Sequence, residues 1–275
     1  MPGYVKAALE EFNHEQPSQQ QHVPPKMTSH HLSSGARPLT KKEITFIQRV
    51  AGKFLYCARA VDCTMLHALN GIATKTVNGT TETMGAINTF MGYAAWHPGA
   101  SVLFRASGMI LHTESGGAHL AAPKERSRAG GYHYLGNKHG GMLSAPFRAL
   151  TKAMKHAAAS AEEAELGAIC ANAREGTIFR QALHGMGHTQ KSTPAAASAA
   201  TARAILGSNA PGRYLKGAGM RLRWVKGRAK RSIFAARWKS ARASLGHYPA
   251  KAHKPAHHRK MRPIYTYHND RSPAA

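Results

Sequence analysis

Two segments in the middle of the chain indicate the fold. The first begins with an apolar run and the second ends with one. They read Met109-Ile-Leu-His-Thr-Glu-Ser-Gly-Gly-Ala-His119 and, after a short gap, Arg126-Ser-Arg-Ala-Gly-Gly-Tyr-His-Tyr-Leu135. The runs Met109–His112 and Tyr132–Leu135 have the length and composition of buried strands, as does Val102–Phe104 just before them. The sequence therefore predicts that a sheet begins near residue 100.

Helical patterns follow these strands. Ser160 with Glu163 three residues later is the pattern of a helix start, and residues 160–173 read as a helix. A second helical run covers residues 178–186, and Ile233–Phe234 with Trp238 indicates a last strand. Strands, then helices, then a strand are typical of an α/β sheet.

The segment before residue 100 has a different character. Thr40 and Glu43 form a capping-box pattern at the start of a helix. Apolar residues then recur at three- and four-residue spacing on one face, at Ile47, Ala51, Phe54, Ala58 and Val61. Two further amphipathic runs follow, so residues 40–99 are predicted to form a small helical region. Residues 1–39 begin with a short helical pattern at Tyr4–Phe12 and then become rich in Gln, Ser, His and Pro, so they are predicted to be a disordered linker.

The chain is strongly basic. Its 275 residues carry 38 Lys and Arg against 13 Asp and Glu, a formal net charge of +25. Between Gly176 and Ala275 the only acidic residue is Asp270. This balance indicates a polyanionic partner, and RNA, DNA or an RNA–DNA hybrid bound without sequence preference is the expected one. The alternative is an unstructured basic segment, and residues 251–275 are predicted to be a basic tail.

The candidate phosphate contacts are basic residues in three stretches of the chain. In the second stretch the apolar Trp224 and Val225 are expected to face a core, which turns their basic neighbours outward. In the third, no Cys or acidic residue accompanies the histidines at metal-ligand spacing, which favours a basic segment over a zinc site. The candidates are Arg126 and Arg128; Arg221, Arg223, Lys226, Arg228, Lys230 and Arg231; and Arg259, Lys260 and Arg262.

Cysteine use and hydropathy bear on the compartment. Cys57, Cys63 and Cys170 have no CxxC spacing, so reduced thiols and a cytoplasmic or nuclear location are expected. No run of about 18 apolar residues suggests a membrane span, and no membrane partner is expected.

Several longer strings resemble one known family. Leu55-Tyr-Cys-Ala-Arg-Ala-Val-Asp62, the stretch from Met109 to Gly131, and Ser160-Ala-Glu-Glu-Ala-Glu-Leu-Gly167 are similar to segments of copia-type retrotransposon polyproteins. They correspond to the C-terminal reverse transcriptase and RNase H region. The resemblance implies a thumb-like helical region over residues 40–99 and an RNase H-like mixed sheet with helices over residues 100–250.

The resemblance also implies a metal site. RNase H chemistry uses two magnesium ions, which the family holds with four converging carboxylates. The carboxylate on the helix matches Glu165, and Glu163 is a weaker candidate. The aspartate on the first strand falls on Glu114 when counted from His112. Counting back from the later basic pair gives Gly116 instead, but the strand match favours Glu114.

The other two acids of the family have no carboxylate here. One position falls on Ser198 and the other on His247. A neutral serine cannot offset metal charge, and histidine is a poor ligand for magnesium. Glu165 and Glu114 are thus the remaining candidate ligands of a weakened site.

Two functions compete on these observations. The first is a degenerate RNase H-like fragment that is catalytically inactive, needs no cofactor and has a basic nucleic-acid-binding surface. The alternative is an active, metal-dependent ribonuclease that cleaves RNA–DNA hybrids with Glu165, Glu114 and a further carboxylate. Whether the chain is an enzyme stays open on the sequence.

Overall fold

The computed structural model divides the chain into two compact units. Unit 1 comprises Met1–Leu103 and Ala252–Ala275, and unit 2 comprises Phe104–Lys251. The residues that the structure describes are 1, 3–26, 36–122, 125–138, 143–207 and 216–267.

Unit 1 is helical. Its helices are α1 (Tyr4–Glu11), α2 (Lys41–Ala60), α3 (Leu66–Lys75), α4 (Thr81–Trp96) and α8 (Pro255–Tyr265). The predicted capping box at the start of α2 is present, because Thr40 accepts from the Glu43 amide and the Glu43 carboxylate accepts from the Thr40 amide. Phe54 of α2 and Phe90 of α4 pack edge to face in the core, with ring centroids 5.3 Å apart.

Both ends of the chain contribute to unit 1, which differs from the predicted boundaries. The segment 1–39 contains α1, which buries Val5, Ala8 and Leu9. The segment 251–275 contains α8, which buries part of its surface in unit 1 as well. The helical pattern at Tyr4–Phe12 corresponds to α1, whereas α8 was missed because it is short and has few apolar positions. Residues 27–35 and 268–275 of these two segments lie outside the described residues.

Unit 2 is built on a mixed sheet. Its strands are β1 (Ile110–Ala122), β2 (Arg126–Gly136), β3 (Pro146–Ala153), β4 (Thr193–Ala197) and β5 (Phe234–Trp238). The strand order is β3-β2-β1-β4-β5. The pairs β1–β2 and β2–β3 are antiparallel, while β1–β4 and β4–β5 are parallel. The α/β class is confirmed, and the sheet is consistent with the RNase H-like architecture that the sequence predicted.

Among its described residues, unit 2 also has the helices α5 (Ala161–Gly185), α6 (Ala199–Leu206) and α7 (Lys216–Lys230). Leu166 and Ile169 of α5 form a buried cluster with Leu222 of α7 and Phe234 of β5.

The two helical runs predicted over residues 160–186 are one continuous helix. The predicted strand at Val102–Phe104 is absent, and the Phe104 residue is 60% exposed, so this apolar run does not enter the core.

A polar network fixes α5 on the sheet. Asn172 is fully buried, and its amide nitrogen donates to the Ser115 hydroxyl at 3.2 Å and to the Gly130 carbonyl at 2.9 Å. Its amide oxygen lies 3.1 Å from Nε2 of His133 on β2. Because buried polar groups are costly when unpaired, this network sets the position of α5 across β1 and β2. Among the described helices, none is long and apolar enough to cross a membrane.

Candidate functional site

The predicted strand acid, Glu114, lies in the middle of the sheet. On β1 it is paired with Tyr132 of β2 and with Ala196 of β4. The residue is 4% exposed. One carboxylate oxygen accepts from the Lys239 ammonium at 2.5 Å, and the other accepts from the Leu245 amide at 2.7 Å. Both oxygens are therefore engaged by donors from the protein itself.

Lys239 is the residue of this site that the sequence analysis missed. It follows β5 directly, and its amide donates to the Ala197 carbonyl at the end of β4. This bond extends the β4–β5 pairing by one residue and brings the lysine toward Glu114. The only available signal was a lysine placed directly after the last apolar strand, which does not distinguish an inward from an outward side chain.

Glu165 approaches the same strand, β1, from the first turns of α5. Its carboxylate accepts from the Gly117 amide at 3.0 Å. The β1–β4 pairing covers Thr113 and Glu114 only, so the strand continues beyond its partner. Burial raises the pKa of Glu165 to about 7, although the Gly117 amide and Lys251 act in the opposite direction. The approach is close because Gly117 lacks a side chain, since a Cβ there would lie 2.6 Å from the Ala164 backbone.

His247 meets Glu165 from the other side. Its Nε2 lies 3.4 Å from the Glu165 carboxylate. Burial, with a further contribution from Lys251, lowers the pKa of His247 to about 4. The imidazole is therefore neutral at physiological pH, and this contact is not an ion pair. The backbone of His247 packs on β1 at Gly116, where a Cβ would come within 2.6 Å of it.

Ser198 has a local structural role. It lies just beyond β4, and its hydroxyl caps α6 by accepting from the Thr201 amide. A serine in this position stabilises a helix start. Glu163, the weaker carboxylate candidate, is likewise engaged at a helix start, because its carboxylate accepts from the Ala159 amide at 3.0 Å.

The structure thus gathers Glu114, Glu165 and His247 around residues 114–117, but these side chains do not fit a pair of magnesium ions. Magnesium prefers oxygen ligands, and a pair of these ions needs carboxylates whose negative charge is free to offset that of the metals. The charge of Glu114 is already balanced by the Lys239 ammonium. Glu165 is easily protonated and His247 is neutral. Within the described part of the chain, no group of three or more His, Cys, Asp or Glu is arranged to hold a metal ion. The Glu165 carboxyl can take up or release a proton near neutral pH, but the site does not supply the ligands for two metal ions.

The predicted basic residues of the second stretch lie on α7. Leu222 and Val225 are buried, whereas Arg223, Lys230 and the following Arg231 are exposed. The expectation that Val225 faces the core is confirmed, and Trp224 packs against the edge of the same cluster. Arg228 stacks over the Trp224 ring at 5.1 Å. The exposed side of α7, which we call the α7 face, therefore combines Arg223, Lys230 and Arg231 with a partly exposed aromatic ring.

The remaining candidates have mixed positions. Arg259 and Lys260 are exposed on α8, and Arg126 is half-buried. For two other candidates, Arg128 and Arg262, the prediction of a surface position is wrong. Arg128 is only 2% exposed, and burial, followed by the charge of Arg126, lowers its pKa to about 10. Arg262 is buried in unit 1 and pairs with Asp62 at 2.9 Å. Strand and helix periodicity places these two side chains inward, which a count of charges cannot reveal.

Comparisons with known proteins found no match to this chain among family models, curated proteins or solved structures.

Proposed function

We propose that this chain is a nucleic-acid-binding protein of copia-type retrotransposon origin that lacks RNase H catalysis. Its ligand is RNA, DNA or an RNA–DNA hybrid, bound without sequence preference. The observation that carries this proposal is the α7 face on a chain with a net charge of +25. We expect the protein to act in the cytoplasm or nucleus, where such ligands occur.

The chemistry of the α7 face suits a phosphate backbone. Arginine and lysine neutralise phosphates and release the counterions condensed around them, which favours binding to any sequence. The guanidinium groups of Arg228 and Arg174 both lie over the Trp224 ring, at 5.1 and 5.6 Å from its centroid. Aromatic and guanidinium planes can also stack on unpaired bases. From α7 to the end of unit 2 the sequence has no acidic residue to repel a polyanion.

The geometry around Glu114 argues against the alternative, a metal-dependent ribonuclease. Two-metal hydrolysis needs carboxylates that are free to bind the ions. The Lys239 ammonium bound to Glu114 places a positive charge where cations would have to approach. We therefore retain nucleic-acid binding and leave hydrolysis out of the proposed function.

Charge removal on the α7 face tests the proposal. The triple substitution Arg223→Gln, Lys230→Gln and Arg231→Gln should weaken binding of a labelled hybrid at about 100 mM salt. The slope of log affinity against log salt should become shallower by about 0.9 for each phosphate that the variant no longer neutralises. Fluorescence anisotropy over a salt series measures both quantities.

A matched control separates this face from general charge. Lys41, Lys42 and Arg59 are also exposed but belong to unit 1. Changing these three to Gln removes the same net charge and should leave the salt slope close to that of the parent. Equal losses of affinity in both triple variants would show that binding follows total charge, and the α7 face would then have no special role.

A further inference from the structure

A cavity of about 270 Å³ opens between α5, α7 and the β2–β3 side of unit 2. Basic residues enter it from three elements. Lys152 belongs to β3 and Lys155 follows that strand, while Arg174 comes from α5 and Arg221 from α7. None of the described residues lining the cavity is acidic. The cavity is therefore a concave site with cations on several walls.

The floor of the cavity is made of small or apolar groups. Ala129, Met154 and Cys170 are buried there. Gly167 keeps the space open on the α5 side, because a Cβ at this position would lie 2.9 Å from both the Met154 sulfur and His156 Nε2. His156 Nε2 is itself buried, with no hydrogen-bond partner among the described residues. The pocket thus has a closely packed floor, and the lining residue His156 has a buried ring nitrogen without a hydrogen-bond partner among the described residues.

Two acidic residues of α5 have contacts outside the cavity lining. Glu175, next to Arg174 in sequence, lies 3.5 Å from Arg148. Glu163 accepts from the Ala159 amide. Lys152, Lys155 and Arg174 are exposed at the rim and Arg221 is half-buried. Because opposite charges attract, an anion bound in the cavity would interact favourably with all four cations.

We propose that this cavity binds a phosphoryl group. Its volume is just below the roughly 300–1,000 Å³ of pockets that enclose whole drug-sized ligands, which suits a compact anion. Arginine forms paired, charge-assisted hydrogen bonds with phosphate oxygens, and lysine adds point charges. The phosphoryl group comes from a nucleic-acid strand or from free phosphate. The first source rests on the proposed function, because Arg174 lines the cavity and also stacks on Trp224 beside the α7 face.

Inorganic phosphate is the probe for this pocket. In the full chain, phosphate should raise the melting temperature more than chloride at equal ionic strength, because a ligand that binds only the folded state stabilises it. Arg221→Met should weaken phosphate binding about tenfold or more, as expected when a hydrogen bond between charged groups is removed. Arg59→Met, an exposed position in unit 1 that is outside the cavity lining, should bind phosphate like the parent. Calorimetric titration measures the affinities.

Lys155→Met provides a second variant, because this exposed side chain can be changed without affecting the core. It should also weaken phosphate binding, whether or not Arg221→Met folds. If phosphate stabilises no more than chloride, or if Lys155→Met binds phosphate as tightly as Arg59→Met, the pocket inference is wrong.

Hybrid binding distinguishes the two proposals. Phosphate binding in a parent protein that does not bind the hybrid would support a pocket for free phosphate and contradict the proposed function. Hybrid binding together with no response to phosphate would overturn the pocket and leave the proposed function intact. Phosphate that competes with the hybrid in the parent but not in Lys155→Met would support the strand as the source.

Discussion

Arg262→Met should lower the free energy of unfolding of unit 1 by about 3–5 kcal/mol, the cost of removing one partner from a buried ion pair. The carboxylate of Asp62 is fully buried, and Arg262 lies 2.9 Å from it. The Asp62 carboxylate also accepts from the amide and hydroxyl of Thr64. Those two bonds remain in the variant, but the negative charge loses its cation. The pKa of Arg262 is raised although burial acts to lower it, because Asp62 and Tyr93 outweigh burial.

The control for this experiment is Arg259→Met. Arg259 lies on the same helix, three residues earlier, and is exposed. Its replacement should change stability by no more than about 0.5 kcal/mol. Hydrogen exchange of the α8 and α2 amides measures unit 1 apart from unit 2. Equal effects of the two substitutions would show that α8 is not held to unit 1 by this ion pair.

Glu165→Gln should stabilise unit 2 above pH 7 and have little effect near pH 4. The pKa of Glu165 is about 7 in the folded chain against an ordinary value of 4.5. Because the folded pKa is raised, the contribution of this carboxyl to stability is fully present below pH 4.5. That contribution is lost as the pH rises through 7. Since one pKa unit corresponds to 1.36 kcal/mol, glutamine should add roughly 3 kcal/mol at high pH. Its side-chain oxygen can still accept from the Gly117 amide.

The stability contribution of His247 changes with pH in the opposite direction to that of Glu165. Its folded pKa is lowered from 6.5 to about 4, so its contribution is present above pH 6.5 and is lost as the pH falls through 4. Between about pH 4.5 and 6.5 the contributions of Glu165 and His247 to stability act in opposite directions and largely cancel. Burial also lowers the pKa of His133 in unit 2 to about 4, so the stability of the parent should still rise with pH in this range. In Glu165→Gln the His247 contribution is no longer offset, so stability should rise with pH more steeply than in the parent.

Glu162→Gln is the matched control for the pH experiment. Glu162 is exposed in the first turn of α5, where a negative charge favours the helix. Its loss should therefore cost about 0.3–1 kcal/mol at neutral pH instead of adding stability. Hydrogen exchange of the β1 and α5 amides over a pH series reports on unit 2. A Glu165→Gln profile that runs parallel to the parent at all pH values would contradict the burial of this carboxyl.

Some elements of the fold were predictable because local sequence and tertiary contacts agree. The helix start at Ser160 and the strand around Ile110–His112 are examples. β4 was not predictable, since Thr193-Pro-Ala-Ala-Ala197 has no strand propensity and is extended because β1 and β5 pair with it. α5 continues through Gly176 because that glycine packs against the Phe234 ring, where a Cβ would lie at 3.1 Å.

The candidate site was predictable only in part, for a similar reason. The positions of Glu114, Glu165 and His247 followed from the resemblance, and the structure places these residues around one segment of β1. The partner of Glu114 lies 125 residues away along the chain, at Lys239. No local pattern encodes such a distant contact. The same limit applies to Arg128 and Arg262, whose charges suggested a surface although their side chains are buried.

Incubation of the purified chain with a labelled RNA–DNA hybrid in magnesium tests whether the chain binds nucleic acid without cleaving it. One half of each sample is resolved on a native gel and the other on a denaturing gel. We expect a shifted complex on the native gel and intact RNA on the denaturing gel, both for the parent and for Glu165→Gln. Absence of a complex, or RNA cleavage that Glu165→Gln abolishes and Glu162→Gln retains, would contradict this expectation.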